Sequence, residues 1–158
     1  MKKALIFFLL LAVSSPLLAQ GPTMRELADD YPDAFKLMFY HSTLNMLNME
    51  DNEDFARIIR DIDRIKLLRI EKDKFDFSSD NLKGIRSKLA KRDYEELMMV
   101  TSKESKISVF IQEDGDDIEG FFLYMDEEEA FTAIDVRGFV AINDIGMLVD
   151  TLKDVDIN

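Results

Sequence analysis

Cysteine and tryptophan are absent from this 158-residue chain, and histidine occurs once, at His41. Without cysteine there can be no disulfide, no thiolate metal ligand and no cysteine nucleophile. A single histidine offers little to a zinc or copper site, and His41 lies in an apolar segment that has no nucleophile elbow. We therefore predict no catalytic residues, no metal site and no cofactor, and we interpret His41 as a structural residue.

Glycine-rich loops are also lacking. The six glycines are scattered, so the chain contains no phosphate-binding loop and no dinucleotide fingerprint. The formal net charge is −12 at pH 7. A field of that sign repels nucleic-acid phosphates and anionic lipid head groups, so we predict no nucleic-acid partner and no binding to a membrane surface.

The one long hydrophobic run is residues 4–13, which follow Lys2 and Lys3 and lead to Ala19. Ten residues span only about half of a roughly 30 Å hydrocarbon core, so the pattern is typical of a cleaved signal peptide over residues 1–19. Cleavage after Ala19 leaves Gln20 first and, by removing two lysines, changes the net charge from −12 to −14. No cysteine is available for a lipid anchor and no transmembrane segment follows, so we expect a periplasmic or secreted protein.

The remaining length is typical of one domain. We predict that residues 20–34 form a mobile lead-in with a short helical piece at 23–29, and that residues 35–153 form a single α+β domain. Within it, a strand at residues 36–41 is followed by a helical turn through Leu44 and Leu47.

Two segments show helical periodicity. Apolar residues recur at steps of three and four after Asn52, a suitable N-cap, and they predict a helix that continues to Ile65, with a strand at residues 66–71 after it. These residues are Phe55, Ile58, Ile59, Ile62 and Ile65. A second helix is predicted at residues 80–91, with Ser78 or Ser79 as its cap.

The pattern changes to alternation from Tyr94 onwards. It predicts strands at residues 94–102, 106–113, 118–125 and 130–137, with a hairpin turn at Gly115. A last helix is predicted at residues 143–152. The fold class is therefore α+β: a mainly antiparallel sheet with a C-terminal four-strand meander, and helices packed mainly on one face.

Residues 93–100 (DYEELMMV) and 107–111 (ISVFI) carry a family resemblance. The chain resembles domain-of-unknown-function family 4252, small exported proteins of Gram-negative bacteria, over roughly residues 36–152. The family's usual glycine before the tyrosine is Asp93 here, and aspartate tolerates the left-handed conformation that such a turn needs. The resemblance implies export, a single domain and a role in the cell envelope, and it supplies no catalytic residues.

Apolar side chains occupy both faces of the predicted meander. Phe110, Phe122 and Tyr124 fall on the face that is usually polar in a one-sided sheet, so we predict an exposed strip that binds an envelope protein or a small apolar ligand. The alternative is that a helix or the N-terminal segment covers these side chains.

Two acidic segments, residues 113–117 and 126–129, follow successive strands. They raise the alternative of a calcium-stabilised structural module, although successive hairpin connections emerge at opposite ends of a meander. A hydrolase that uses Asp/Glu pairs is a further alternative, and the lack of tryptophan speaks against a sugar cleft. The sequence favours a non-enzymatic binding or interaction module of the cell envelope.

Overall fold

The computed structural model describes residues 22–48, 51–115 and 117–147. In chain order its elements are α1 (Pro22–Asp30), β1 (Phe35–Tyr40), α2 (Glu53–Ile59), β2 (Ile62–Glu71), α3 (Lys72–Phe75), α4 (Ser79–Ala90), β3 (Tyr94–Thr101), β4 (Ser105–Asp114), β5 (Asp117–Glu127) and β6 (Ala130–Gly138), with short 3-10 segments at His41–Leu47 and Ile142–Asp144. The predicted signal peptide and residues 148–152 of the predicted last helix lie outside the described residues. Across the described ranges, no helix is long and apolar enough to span a membrane.

The strands form one six-stranded sheet in the order β1-β2-β6-β5-β4-β3, and all neighbouring strands are antiparallel. Helix α4 carries the chain from β2 to the far edge, where β3 begins. The meander then returns across the sheet until β6 pairs with β2. The predicted α+β class, antiparallel sheet and four-strand meander are confirmed.

Both faces of the sheet are covered. The two longest described helices, α1 and α4, share one face, while α2 packs on the opposite face. Met24, Leu27, Ile85 and Leu89 join the core of the first face. Phe55, Ile58 and Ile59 of α2 join the core of the second. Burial on both sides explains why β5 and β6 are apolar along most of their length.

The predicted exposed strip is wrong. Phe110, Phe122 and Tyr124 are only 4%, 1% and 1% exposed, because α1 and α4 cover them. The Phe110 and Tyr124 ring centroids lie 5.9 Å apart, and the Arg86 guanidinium of α4 donates a hydrogen bond of 3.1 Å to the Tyr124 hydroxyl. The alternative prediction, in which a helix covers these three side chains, is confirmed.

The helix predicted to continue to Ile65 ends at Ile59 instead, and Ile62 and Ile65 belong to β2. A register shift between Ile62 and Arg64 lets both isoleucines join the same core although they are three positions apart. A bulged strand can therefore satisfy the spacing that predicted a helix. The His41 ring donates a hydrogen bond from Nδ1 to the Ile62 carbonyl at 2.9 Å, a structural contact at the start of the strand.

The predicted mobile lead-in is also wrong for its described part. Residues Thr23, Met24 and Leu27 are 2–3% exposed, so α1 is part of the core. The Glu26 carboxylate forms two ion pairs: Oε2 lies 2.9 Å from Lys88 Nζ, and Oε1 lies 2.5 Å from Arg92 Nη2. Apolar and ionic contacts together hold α1 against α4 and the sheet.

Gly138 ends β6 with φ of +119°, and a Cβ there would lie 2.5 Å from the Asp61 carbonyl oxygen and 2.7 Å from the Ile62 Cα. We expect Gly138→Ala to lower the free energy of unfolding by about 2 kcal/mol or more, because both the backbone conformation and the space exclude a side chain. Urea denaturation measures this loss.

The matched control is Gly84→Ala in α4, where a Cβ would meet nothing within 4 Å. This variant should gain about 0.5–1 kcal/mol, as alanine does over glycine in a helix. Equal stabilities for the two variants would contradict the description of the β6 terminus.

Candidate functional site

A cavity of about 300 Å³ lies between α1 and the first two strands of the sheet. Its size is at the lower end of the range for ligand pockets, and most of its wall is apolar. The apolar lining consists of Met24, Ala28, Leu37, Met38, Leu67 and Leu68, and two lysines, Lys36 and Lys66, complete it.

Helix and strand geometry explain this composition. Met24 and Ala28 are four positions apart, so they lie on the same side of α1. The β1–β2 register places Lys36 opposite Leu68 and Met38 opposite Lys66. Lys66 lies two positions before Leu68, which packs in the core beneath α1, so both side chains lie on that face of β2. The site thus joins apolar surface to an ammonium group.

The Lys66 ammonium group is partly removed from water. Burial lowers its pKa, and the charge of Arg64 acts in the same direction, as do the more weakly coupled Arg25 and Arg137. Asp135 is the carboxylate that opposes them. Positive charge is therefore concentrated at this end of the cavity, in a chain whose formal net charge is −12.

Asp135 lies behind the cavity wall, directly opposite Lys66 in the β2–β6 register. It is fully buried, and within the described residues neither of its carboxylate oxygens has a hydrogen-bond partner. Its nearest ion pair joins Oδ1 to Arg137 Nε at 3.5 Å. Burial raises the pKa of Asp135 above the ordinary value, although the charges of Arg137, Arg64 and Lys66 act against that shift.

The Arg137 side chain is held over β5. It donates hydrogen bonds of 2.6 Å to Gln112 Oε1 and 2.5 Å to the Tyr94 hydroxyl. Gly120 leaves room for it, since a Cβ there would collide with the Val136 carbonyl oxygen and lie 3.3 Å from the Arg137 Cδ. Burial raises the pKa of Tyr94 to about 12, so the phenol stays protonated at neutral pH and can hold this arrangement.

The residues at the cavity differ from those that the sequence predicted. Phe110, Phe122 and Tyr124 lie beneath the helices and do not line it. Sequence reasoning missed Lys66 and Asp135. The signal that could have found them is a charged residue between two apolar neighbours inside a strand: Lys66 lies between Ile65 and Leu67, and Asp135 lies between Ile134 and Val136.

The two acidic segments do not come together. The β4–β5 and β5–β6 connections lie at opposite ends of β5, as predicted. The second segment is paired with cations: Lys72 Nζ lies 2.7 Å from Asp126 Oδ1, and Arg69 Nη1 lies 3.8 Å from Glu127 Oε2. In the part of the chain that the structure describes, no group of three or more His, Cys, Asp or Glu residues is arranged to hold a metal ion.

We expect Asp135→Asn to gain stability relative to the native protein as the pH rises. The pKa of Asp135 is raised from its ordinary value of 3.8, so the protonated form stabilises the fold and this contribution is lost as pH rises through the folded-state pKa. Asparagine cannot ionise. Urea denaturation of both proteins between about pH 4 and about pH 7 measures the difference in unfolding free energy.

Asp80→Asn is the control, because it makes the same change at an exposed position of α4. The unfolding free energy of Asp135→Asn should rise relative to that of the native protein as the pH rises. If this difference stays constant or falls, the burial of an ionised Asp135 is not costly, and the account of Asp135 and its neighbouring cations is wrong.

Comparison with known proteins bears on the extent of the domain. No curated protein and no solved structure matches the chain significantly. A family model matches residues 32–148, a span that holds all six strands together with Lys66 and Asp135. The resemblance carried by residues 93–111 is therefore confirmed, and the chain belongs to the family described as Domain of unknown function (DUF4252).

Proposed function

We propose that this protein is an exported, non-enzymatic binding protein of the cell envelope, and that the cavity beneath α1 holds a small aliphatic carboxylate. The observation that carries the proposal is the position of the Lys66 ammonium group at the wall of a largely apolar cavity of about 300 Å³. The second lysine of the lining, Lys36, donates a hydrogen bond of 2.8 Å to the Pro32 carbonyl oxygen.

Export rests on the N-terminal sequence. Lys2 and Lys3, the apolar run at residues 4–13 and the small residue Ala19 follow the order of a signal peptide. The chain has no cysteine, so it needs no reducing compartment and offers no thiol for a lipid anchor. A periplasmic or secreted location follows from these features.

The ligand class follows from the lining. Four apolar side chains on the α1 side of the sheet favour an aliphatic chain, because its burial releases water from both surfaces; they are Met24, Ala28, Met38 and Leu68, while Leu37 and Leu67 pack on the opposite face. Burial removes part of the hydration of the Lys66 ammonium and so lowers its pKa, and a carboxylate next to it would replace that hydration with an ion pair. Arg137 is already engaged with Gln112 and Tyr94, so a monoanion suits the site better than a phosphate.

The non-enzymatic part of the proposal rests on what surrounds the cavity. Among the described residues that line it, lysine is the only side chain with a titratable group. His41 is engaged with the Ile62 carbonyl at the start of β2. A wall of this composition can hold and orient a ligand, and it offers no nucleophile paired with a base.

Isothermal titration of the mature chain with octanoate and with 1-octanol tests the proposal. The two probes have the same chain length and differ in charge. We expect octanoate to bind about tenfold more tightly than the alcohol, a difference of about 1.4 kcal/mol. Lys66→Met should abolish this preference while it keeps binding of 1-octanol, because methionine preserves the apolar wall.

Lys83→Met is the matched control: it removes the same charge at an exposed position of α4, where Lys83 pairs with Asp80 at 2.9 Å. It should leave both affinities unchanged. Absence of binding for both probes, or a preference for octanoate that survives Lys66→Met, would rule out this function for the cavity.

A further inference from the structure

Asp135 and Lys66 face each other across the β2–β6 pair. The register places the two residues directly opposite, and opposed residues of an antiparallel pair lie on the same face of a sheet. On its other side, β5 places the apolar Phe122 opposite Asp135. Asp135 is fully buried, whereas Lys66 lines the cavity. A ligand carboxylate that binds Lys66 therefore enters a site that already holds one buried acid.

The surroundings of Asp135 give its ionised form little support. Within the described residues, neither carboxylate oxygen has a hydrogen-bond partner, and Arg137 Nε lies 3.5 Å from Oδ1. The guanidinium of Arg137 donates its hydrogen bonds to Gln112 and Tyr94 instead. A buried carboxylate in this position has lost water without gaining hydrogen bonds, so its negative charge is costly. Burial accordingly raises the pKa of Asp135.

We propose that the cavity takes up a proton together with its carboxylate ligand, and that Asp135 accepts this proton. The inference rests on the function proposed above and adds a dependence on pH to it. The bound ligand becomes the counter-ion of the Lys66 ammonium and repels the Asp135 carboxylate. A proton then passes from solvent to an Asp135 carboxylate oxygen, so that one negative charge, and not two, remains beside Lys66.

The groups that surround this pair do not compete for the proton. Three of them are arginines, which stay protonated. They are Arg25 of α1, Arg64 of β2 and Arg137 of β6. Tyr94 of β3 has a pKa raised to about 12 and already carries its proton. The Glu26 carboxylate of α1 accepts hydrogen bonds from Lys88 and Arg92, which lower its pKa. Among these groups, Asp135 is the one whose environment favours gaining a proton.

The sign of the pH dependence follows from the coupling. The ligand's charge raises the pKa of Asp135 further, so affinity is highest where Asp135 is already protonated, and it falls as pH rises through the pKa of Asp135 in the complex. Loss of the Lys66 proton at higher pH would weaken binding as well, and that effect does not require Asp135. Asp135→Asn separates the two causes, because asparagine keeps the shape and cannot ionise.

Isothermal titration of the mature chain with octanoate between about pH 5.5 and about pH 7.5 tests the proposal. We expect the native affinity to fall several-fold over this range, while that of Asp135→Asn stays constant and exceeds the native affinity at the upper end. Titrations in MES and in imidazole, whose ionisation enthalpies differ, count the protons. The native protein should take up part of a proton for each octanoate bound, and Asp135→Asn should take up none.

Asp80→Asn is the control, because it makes the same change at an exposed position of α4 and should titrate as the native protein does. Octanoate that binds the native protein without proton uptake, or a pH dependence that Asp135→Asn retains, would overturn the coupling and leave the proposed function intact. Octanoate that binds at no pH would overturn both. The proton count on the native protein requires no variant, and circular dichroism verifies that the variants fold.

Discussion

The pairing of β2 with β6 is the contact on which the rest of this structure depends. These strands are far apart in sequence, and the register that joins Lys66 to Asp135 unites the N-terminal strands with the C-terminal meander. Side chains from both strands are buried on both faces, so the pair forms the centre of a sheet with helices on either side. Because β6 fills this central position, β1 and β3 become the edges.

The same pairing introduces a buried charge. Asp135 lies within a strand whose first seven residues are all buried, and its burial disfavours the ionised form. Arg137, Arg64 and Lys66 offset part of that cost. A buried carboxylate of this kind is poor evidence for stability, since an apolar residue would pack more favourably. Its effect here is to oppose the positive charges around Lys66 and so favour the charged ammonium at the wall of the cavity.

Much of the fold could be predicted because its elements have regular local patterns. The four strands of the meander and α4 end within one or two residues of the positions that alternation and the Ser78 cap indicated. The end of α2 could not be predicted in this way. Ile62 and Ile65 have a spacing that suits a helix, and they reach the same core from a strand only because of a register shift set by β6.

The candidate site depended almost wholly on contacts between distant segments. The sequence showed that Phe110, Phe122 and Tyr124 lie on a second apolar face, but α1 and α4 determine that this face is buried. Lys66 and Asp135 were missed, because each is one of several charges in its strand and their proximity depends on the non-local register between β2 and β6. The cavity itself needs α1, which was interpreted as part of a mobile lead-in because the segment is polar and lies near the N-terminus of the predicted mature chain.

The central claim is that α1 and the first two strands enclose a binding site in which Lys66 holds a carboxylate. The measurement that tests it most directly is a crystal structure of the mature chain grown with octanoate. The account predicts the carboxylate within hydrogen-bonding distance of Lys66 Nζ and the aliphatic chain between Met24 and Leu68. Octanoate bound elsewhere, with the cavity beneath α1 closed by its own side chains, would contradict it.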